Sequence, residues 1–102
     1  MHLIQILLPL YGKEGRRIAP ALFQATAREL AREYGGVTAY TRSPAQGLWR
    51  RRRGRFERDD IVVFEVMVQR LSRRNWAGWR RTLTKRFRQH EIVVRGLACS
   101  VL

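Results

Sequence analysis

"DDIVVFEVMVQR", residues 59–70, is the stretch whose reading decides the fold. Its β-branched and aromatic residues predict a strand. Strand side chains alternate between faces, so Val62, Phe64, Val66 and Val68 form one wholly apolar row. The other row is Ile61, Val63, Glu65 and Met67, apolar but for one carboxylate. The first row is expected to lie under a layer of helices and the second to look the other way.

Working outward, "HLIQILLPLY" at residues 2–11 predicts a first strand, with Ile4, Ile6 and Leu8 toward the helices and Leu3, Gln5 and Leu7 opposite. The polar "GKEGRR" after it reads as a loop. Pro20 suits the first turn of a helix that places Phe23, Ala27, Leu30 and Tyr34 on one stripe and closes at Gly35. "GVTAYTR", residues 36–42, predicts a second strand, interrupted at Ser43-Pro44 because proline lacks a ladder donor.

"LWRR", "RRG" and "RFER" then read as strand, turn and strand. They predict a protruding Arg-rich ribbon over residues 43–60, with Trp49 near Phe56 as a cross-strand pair. In "SRRNWAGWRRTLTKRFRQ", residues 72–89, Trp76, Trp79, Leu83 and Phe87 share one helical stripe, with Arg81, Lys85 and Arg88 opposite and Ser72 or Asn75 as the cap. "EIVVRGLACSV" predicts a last strand with Ile92 and Val94 inside and Glu91, Val93, Arg95 and Leu97 outside.

The element order predicts an α+β class: one ferredoxin-like βαββαβ domain over residues 1–102. Its four-stranded antiparallel sheet would have the order 4-1-3-2, with both helices on one face. The uncovered face would then carry Leu3, Leu7, Val63, Met67 and Leu97, more apolar surface than water tolerates in one patch. A second copy is the simplest cover, which predicts a homodimer of the dimeric α+β barrel type.

Length and composition agree with one core: the chain has 102 residues, 45% of them hydrophobic. Twenty-one Lys and Arg against eight Asp and Glu leave a net charge of +13. That is enough to attract anionic partners over a Debye length of about 8 Å at physiological salt. Nineteen of the 21 cations are Arg. One cysteine, Cys99, excludes an internal disulfide, and two histidines leave too few ligands for a structural zinc site, so no metal is expected. No cofactor motif is present and no cofactor is expected. "LIQILLPL" is too short and too polar at Gln5 for a membrane span, so a cytoplasmic protein without membrane attachment is expected.

Two sites can be argued. Glu65, at the centre of the apolar open face, needs a partner or a proton once that face is covered. It is therefore the candidate acid or base of a small-molecule pocket, with Arg42, Arg58 and Arg95 as anion partners and Tyr40 and Trp49 as walls. The same residues could instead form a buried ion pair that fixes dimer register.

The alternative is a nucleic-acid binder. Standard RNA-recognition sheets stack bases on aromatics of strands one and three, and here those positions hold none. What remains is phosphate contact through Arg50, Arg51, Arg52, Arg53 and Arg55 on the ribbon and Arg81, Lys85 and Arg88 on the second helix. Against it stands a solvated hairpin tip and a solvated helix face.

The stretches "GVTAYTRSPAQGLWR", "ERDD" and "RFRQHEIVV" resemble an uncharacterised bacterial family of domains of unknown function over residues 36–95. A Gly-x-Trp, an Arg followed by an acid, and a Phe-x-Gln recur in that family. They map onto Gly47 and Trp49, Arg58 and Asp59, and Phe87 and Gln89. The resemblance implies a fold similar to the small dimeric α+β barrels and adds Gln89 to Trp49 and Arg58 as site residues. At His90-Glu91 the chain departs from the family's acid followed by serine.

Overall fold

The computed structural model describes residues 1–50 and 56–102, without the side chains of residues 42–44, 49 and 56–58. Arg51, Arg52, Arg53 and Arg55, and the side chains of Arg42, Trp49, Phe56 and Arg58, therefore lie outside the described residues. The elements follow one another as β1 (His2–Pro9), α1 (Pro20–Tyr34), β2 (Thr38–Arg50), β3 (Phe56–Val68), α2 (Arg73–Arg86) and β4 (Val93–Ala98). The protein is a small α+β structure with two helices on an antiparallel sheet, its strands in the order β2-β3-β1-β4.

The alternation in β3 sets the layers. Val62, Phe64 and Val66 are buried, together with Ile4, Ile6 and Leu8 of the antiparallel β1. Over them lie Phe23 and Leu30 of α1 and Trp76 and Leu83 of α2. The rings of Phe23 and Phe64 meet edge to face at 6.5 Å, and Phe23 and Phe87 lie 5.2 Å apart. Tyr34 stacks on Trp76, and its hydroxyl accepts hydrogen bonds from Asn75 Nδ2 and Trp79 Nε1. The α1 stripe has a member that periodicity in apolar residues misses: Thr26 is fully buried, its hydroxyl donating to Leu22 O.

Helix ends behave as their residues dictate. Gly35 closes α1 with a left-handed φ of 84°, and Ser72 caps α2 by accepting from Asn75 N. Arg86 of α2 ties the helices together, binding Glu29 of α1 with both guanidinium nitrogens and reaching Thr26 Oγ1 at 3.1 Å. It is the one ion pair among the described residues. No helix among them is long and apolar enough to cross a membrane.

Four expectations need correction. Strand β2 does not stop at Ser43-Pro44; it runs on to Arg50. Proline is tolerated there because β2 is an edge strand and its ladder is bulged. Tyr40 pairs with Val63 and Ala45 with Ile61, so four residues, 41–44, stand opposite Val62 alone. Ile61, expected on the open face, is only 8% exposed yet lies outside the helix-side core. It sits where the bulge bends the ladder away from a flat sheet.

Trp49 and Phe56 are not directly opposite, since the backbone pairs Trp49 with Glu57 and Arg50 with Phe56. Finally, residues 12–17 are more than a loop. A bridge joins Tyr11 to Arg17, and Gly12 N donates to Arg16 O at 2.7 Å, so the backbone pairs across the turn.

Phe64 is the test of this core. Phe64→Ala is expected to lower stability by about 3–5 kcal/mol, read from the midpoint of urea unfolding.

Candidate functional site on the open sheet face

The face turned away from the helices is built of three rows across the strands. One row is Leu97, Leu3 and Met67, and another is Val93, Leu7, Val63 and Tyr40. Between them runs a polar row: Arg95 on β4, Gln5 on β1, Glu65 on β3 and Thr38 on β2. Met67 is 52% exposed, Tyr40 49% and Leu97 45%. A carboxylate thus lies in the middle of an exposed apolar surface.

Register brings the polar residues into one relay. Arg95 Nε donates to Gln5 Oε1 at 2.7 Å, and Gln5 Nε2 donates to Glu65 Oε2 at 2.8 Å. From the other side Tyr40 O–H donates to Glu65 Oε1 at 2.9 Å. The Gln5 amide can point only this way, because a guanidinium has only donors and a carboxylate only acceptors. Both oxygens of Glu65 are held by neutral donors, and among the described residues Arg95 reaches it through one amide. The chain of bonds crosses all four strands.

Tyr40 responds to that carboxylate. Its hydrogen bond to Glu65, then the Glu65 charge, then slight desolvation raise its pKa above the ordinary value of 10.0. The phenol therefore remains a proton donor to higher pH than a free tyrosine. Chemically, the site offers a fixed carboxylate that can anchor a cationic or hydrogen-bond-donating group, or take a proton from it, with a phenol alongside.

A depression of about 470 Å³ adjoins Glu65, lined also by Leu3, Met67, Thr38 and the Gly35-Gly36 turn. A second hollow, about 520 Å³, opens on the helix side beneath β2, between Phe23, Ile18, Thr41 and Phe64. Arg17 is its one titratable lining group among the described residues.

The sequence-predicted residues divide accordingly. Glu65 and Tyr40 are in contact, and Arg95 joins them only through Gln5, a residue on the expected face that was not picked as a site residue. Its signal was its position across from both Glu65 and Arg95, which only the register reveals. Gln89 is not part of this site. It follows α2, donates to Phe87 O at 3.0 Å and lines a cleft with Arg88 and His90, because the turn that ends α2 carries it onto the helix layer. Arg50 is exposed at the end of β2, while Arg81, Lys85 and Arg88 are exposed on or beside α2.

No family model and no curated protein matches the chain. Among solved structures it is similar to a phage SAM lyase in complex with S-methyl-5'-thioadenosine, with a TM-score of 0.60 and 14% identity over 94% of this chain and 79% of that one. The same lyase in its apo state gives a TM-score of 0.59 at 14% identity, covering 94% and 78%. At that identity the likeness is one of fold.

The relay predicts a pH signature. Followed by tyrosinate absorbance, Tyr40 is expected to ionise above 10.0, and in Glu65→Gln its midpoint falls back toward that value. The raised folded-state pKa contributes stability that is fully present below pH 10.0 and is lost as pH rises through the folded pKa. An unchanged Tyr40 midpoint in Glu65→Gln would contradict the contact.

Proposed function

We propose that this is a ferredoxin-like protein that pairs face to face as a dimeric α+β barrel and binds or transforms a small molecule at the enclosed sheet face. Glu65 is the anchoring carboxylate or base, Tyr40 the adjoining donor, and Gln5 and Arg95 position the carboxylate. The observation that carries the reading is the relay from Arg95 through Gln5 to Glu65, with Tyr40 closing it, set between apolar rows.

Such a pairing has its own electrostatic logic. The polar row begins with a cation at Arg95 and ends toward the anion Glu65. A two-fold axis lying parallel to β1 between two facing sheets sets Arg95 of each copy against Glu65 of the other. The same contact buries Leu97, Met67 and Tyr40, which water would otherwise meet. Enclosure by a second sheet turns an exposed depression into a cavity between the two layers. The fold likeness to a phage SAM lyase supports a small-molecule role, and SAM, a sulfonium cation, has the charge that a carboxylate of this kind attracts. Arg42 from β2, and Arg58 and Trp49 from the ribbon of residues 43–60, remain proposed neighbours.

Two measurements test the reading. In sedimentation equilibrium the wild type is expected to be dimeric and Leu97→Glu monomeric, with its melting transition retained. In titration calorimetry SAM or S-methyl-5'-thioadenosine is expected to bind, and Glu65→Gln to weaken binding by about tenfold, the worth of one charge-assisted hydrogen bond. A monomeric wild type would contradict the pairing. Equal affinity in wild type and Glu65→Gln would contradict the role of Glu65.

A further inference from the structure

The end of α2 and the turn at residues 12–17 meet on the helix side, away from the proposed dimer face, and carry most of their charge as one sign. Two clefts adjoin there, of about 500 and 460 Å³. Arg80, Arg81 and Lys85 line the first, Arg16, Arg17 and Arg86 line the second, and Lys13 and Arg88 line both. Glu91 and Glu14 are the acids on these walls. Arg86 is neutralised by Glu29, while the other seven cations make no ion pair among the described residues. Compensation of the α2 dipole accounts for Lys85 and Arg86 in its last turn. It does not account for Arg80 and Arg81 farther back, nor for three cations on a separate turn.

Arg88 supplies the second observation. It follows the α2 C-cap Phe87 and has a φ of 52°, the one non-glycine residue with positive φ among those described. Its N–H donates to Lys85 O and that of Gln89 to Thr84 O, the two bonds of a Schellman motif. That position favours glycine, since a β-carbon is disfavoured in the left-handed region. An arginine there is held against its backbone preference, at the seam shared by both cationic clefts. Strained backbone of this kind is a pointer to function.

We infer that these two clefts form one groove for the phosphate backbone of a nucleic acid, with Arg88 at its centre. Lys13, Arg16 and Arg17 are presented on a turn fixed by the Tyr11–Arg17 bridge, and the α2 cations on a regular helix, so both walls are preorganised. The groove is concave, and among the described residues no large exposed apolar side chain lines either cleft to insert into a bilayer. No exposed aromatic among the described residues lines it either, which makes the contact one to backbone charge with no base reading. The groove shares no lining residue with the Glu65 depression, and it stands whether or not the open face binds a ligand.

Fluorescence anisotropy of a labelled duplex oligonucleotide, titrated with salt against the full chain, tests it. The expected wild-type result is binding at low salt that weakens linearly on a log–log plot. Arg88→Gly should melt at higher temperature than the wild type, as backbone strain is relieved, and yet bind more weakly, with a slope smaller by about 0.9. Arg81→Glu should weaken binding further, and Arg28→Glu, on exposed α1 surface outside the groove, should leave it nearly unchanged. Absence of binding at low salt would overturn the inference, as would an unaltered slope or a lower melting temperature in Arg88→Gly. An equal loss in Arg28→Glu would show diffuse charge in place of a groove. Competition by ATP as effective as by the oligonucleotide at equal phosphate, or binding of anionic vesicles without the oligonucleotide, would also overturn it.

Discussion

The alternation of side chains in β3 is the constraint on which the rest depends. Strand β3 is an interior strand, paired to β2 on one side and β1 on the other, so its backbone is committed and only its side chains differ between faces. Val62, Phe64 and Val66 sit in the core beneath both helices. A slip of one residue would exchange them for Val63, Glu65 and Met67 and place a carboxylate in that core. The packing that holds the fold thus also fixes Glu65 on the opposite face, and a stability requirement sets the position of the chemical group.

Register then converts position into contact. Gln5 lies between Glu65 and Arg95 because β1 is flanked by β3 and β4, and its amide joins two groups that would otherwise stand one strand apart. Tyr40 reaches the same carboxylate from β2, diagonally, one pair along from Thr38. Each of the four strands contributes one residue or neighbour to a single polar row, surrounded by apolar side chains. A cluster of cations among the described residues lies elsewhere, at the end of α2 and the turn beside it, so the two proposed activities occupy opposite sides of the sheet.

Much of this was legible in the sequence, and the division has a physical basis. Local patterns gave the helical stripes, the Gly35 end, a cap at Ser72 or Asn75, the inward row of β3 and the outward placement of Glu65, because each depends on residues close together in the chain. The contacts that were not legible depend on pairing between distant segments. Gln5 acquires its role from cross-strand register, and the Arg86–Glu29 tie from how the two helices lie side by side. The bulge at residues 41–44 let β2 pass Ser43-Pro44, where a local rule predicted a break. Arg88 looked like one more cation on a helix face until its backbone conformation set it apart.

Adjacent residues of β3 face opposite environments, and a pair of substitutions to the same residue separates the two faces. Thermal melts followed by circular dichroism would compare Val66→Glu, buried under the helices, with Met67→Glu, on the open face. Burial of an unpaired carboxylate costs several kcal/mol, a large part of the roughly 5–15 kcal/mol that stabilises a domain. Val66→Glu is expected to lose its cooperative transition and Met67→Glu to retain one. Equal loss in both, or loss in Met67→Glu alone, would contradict it.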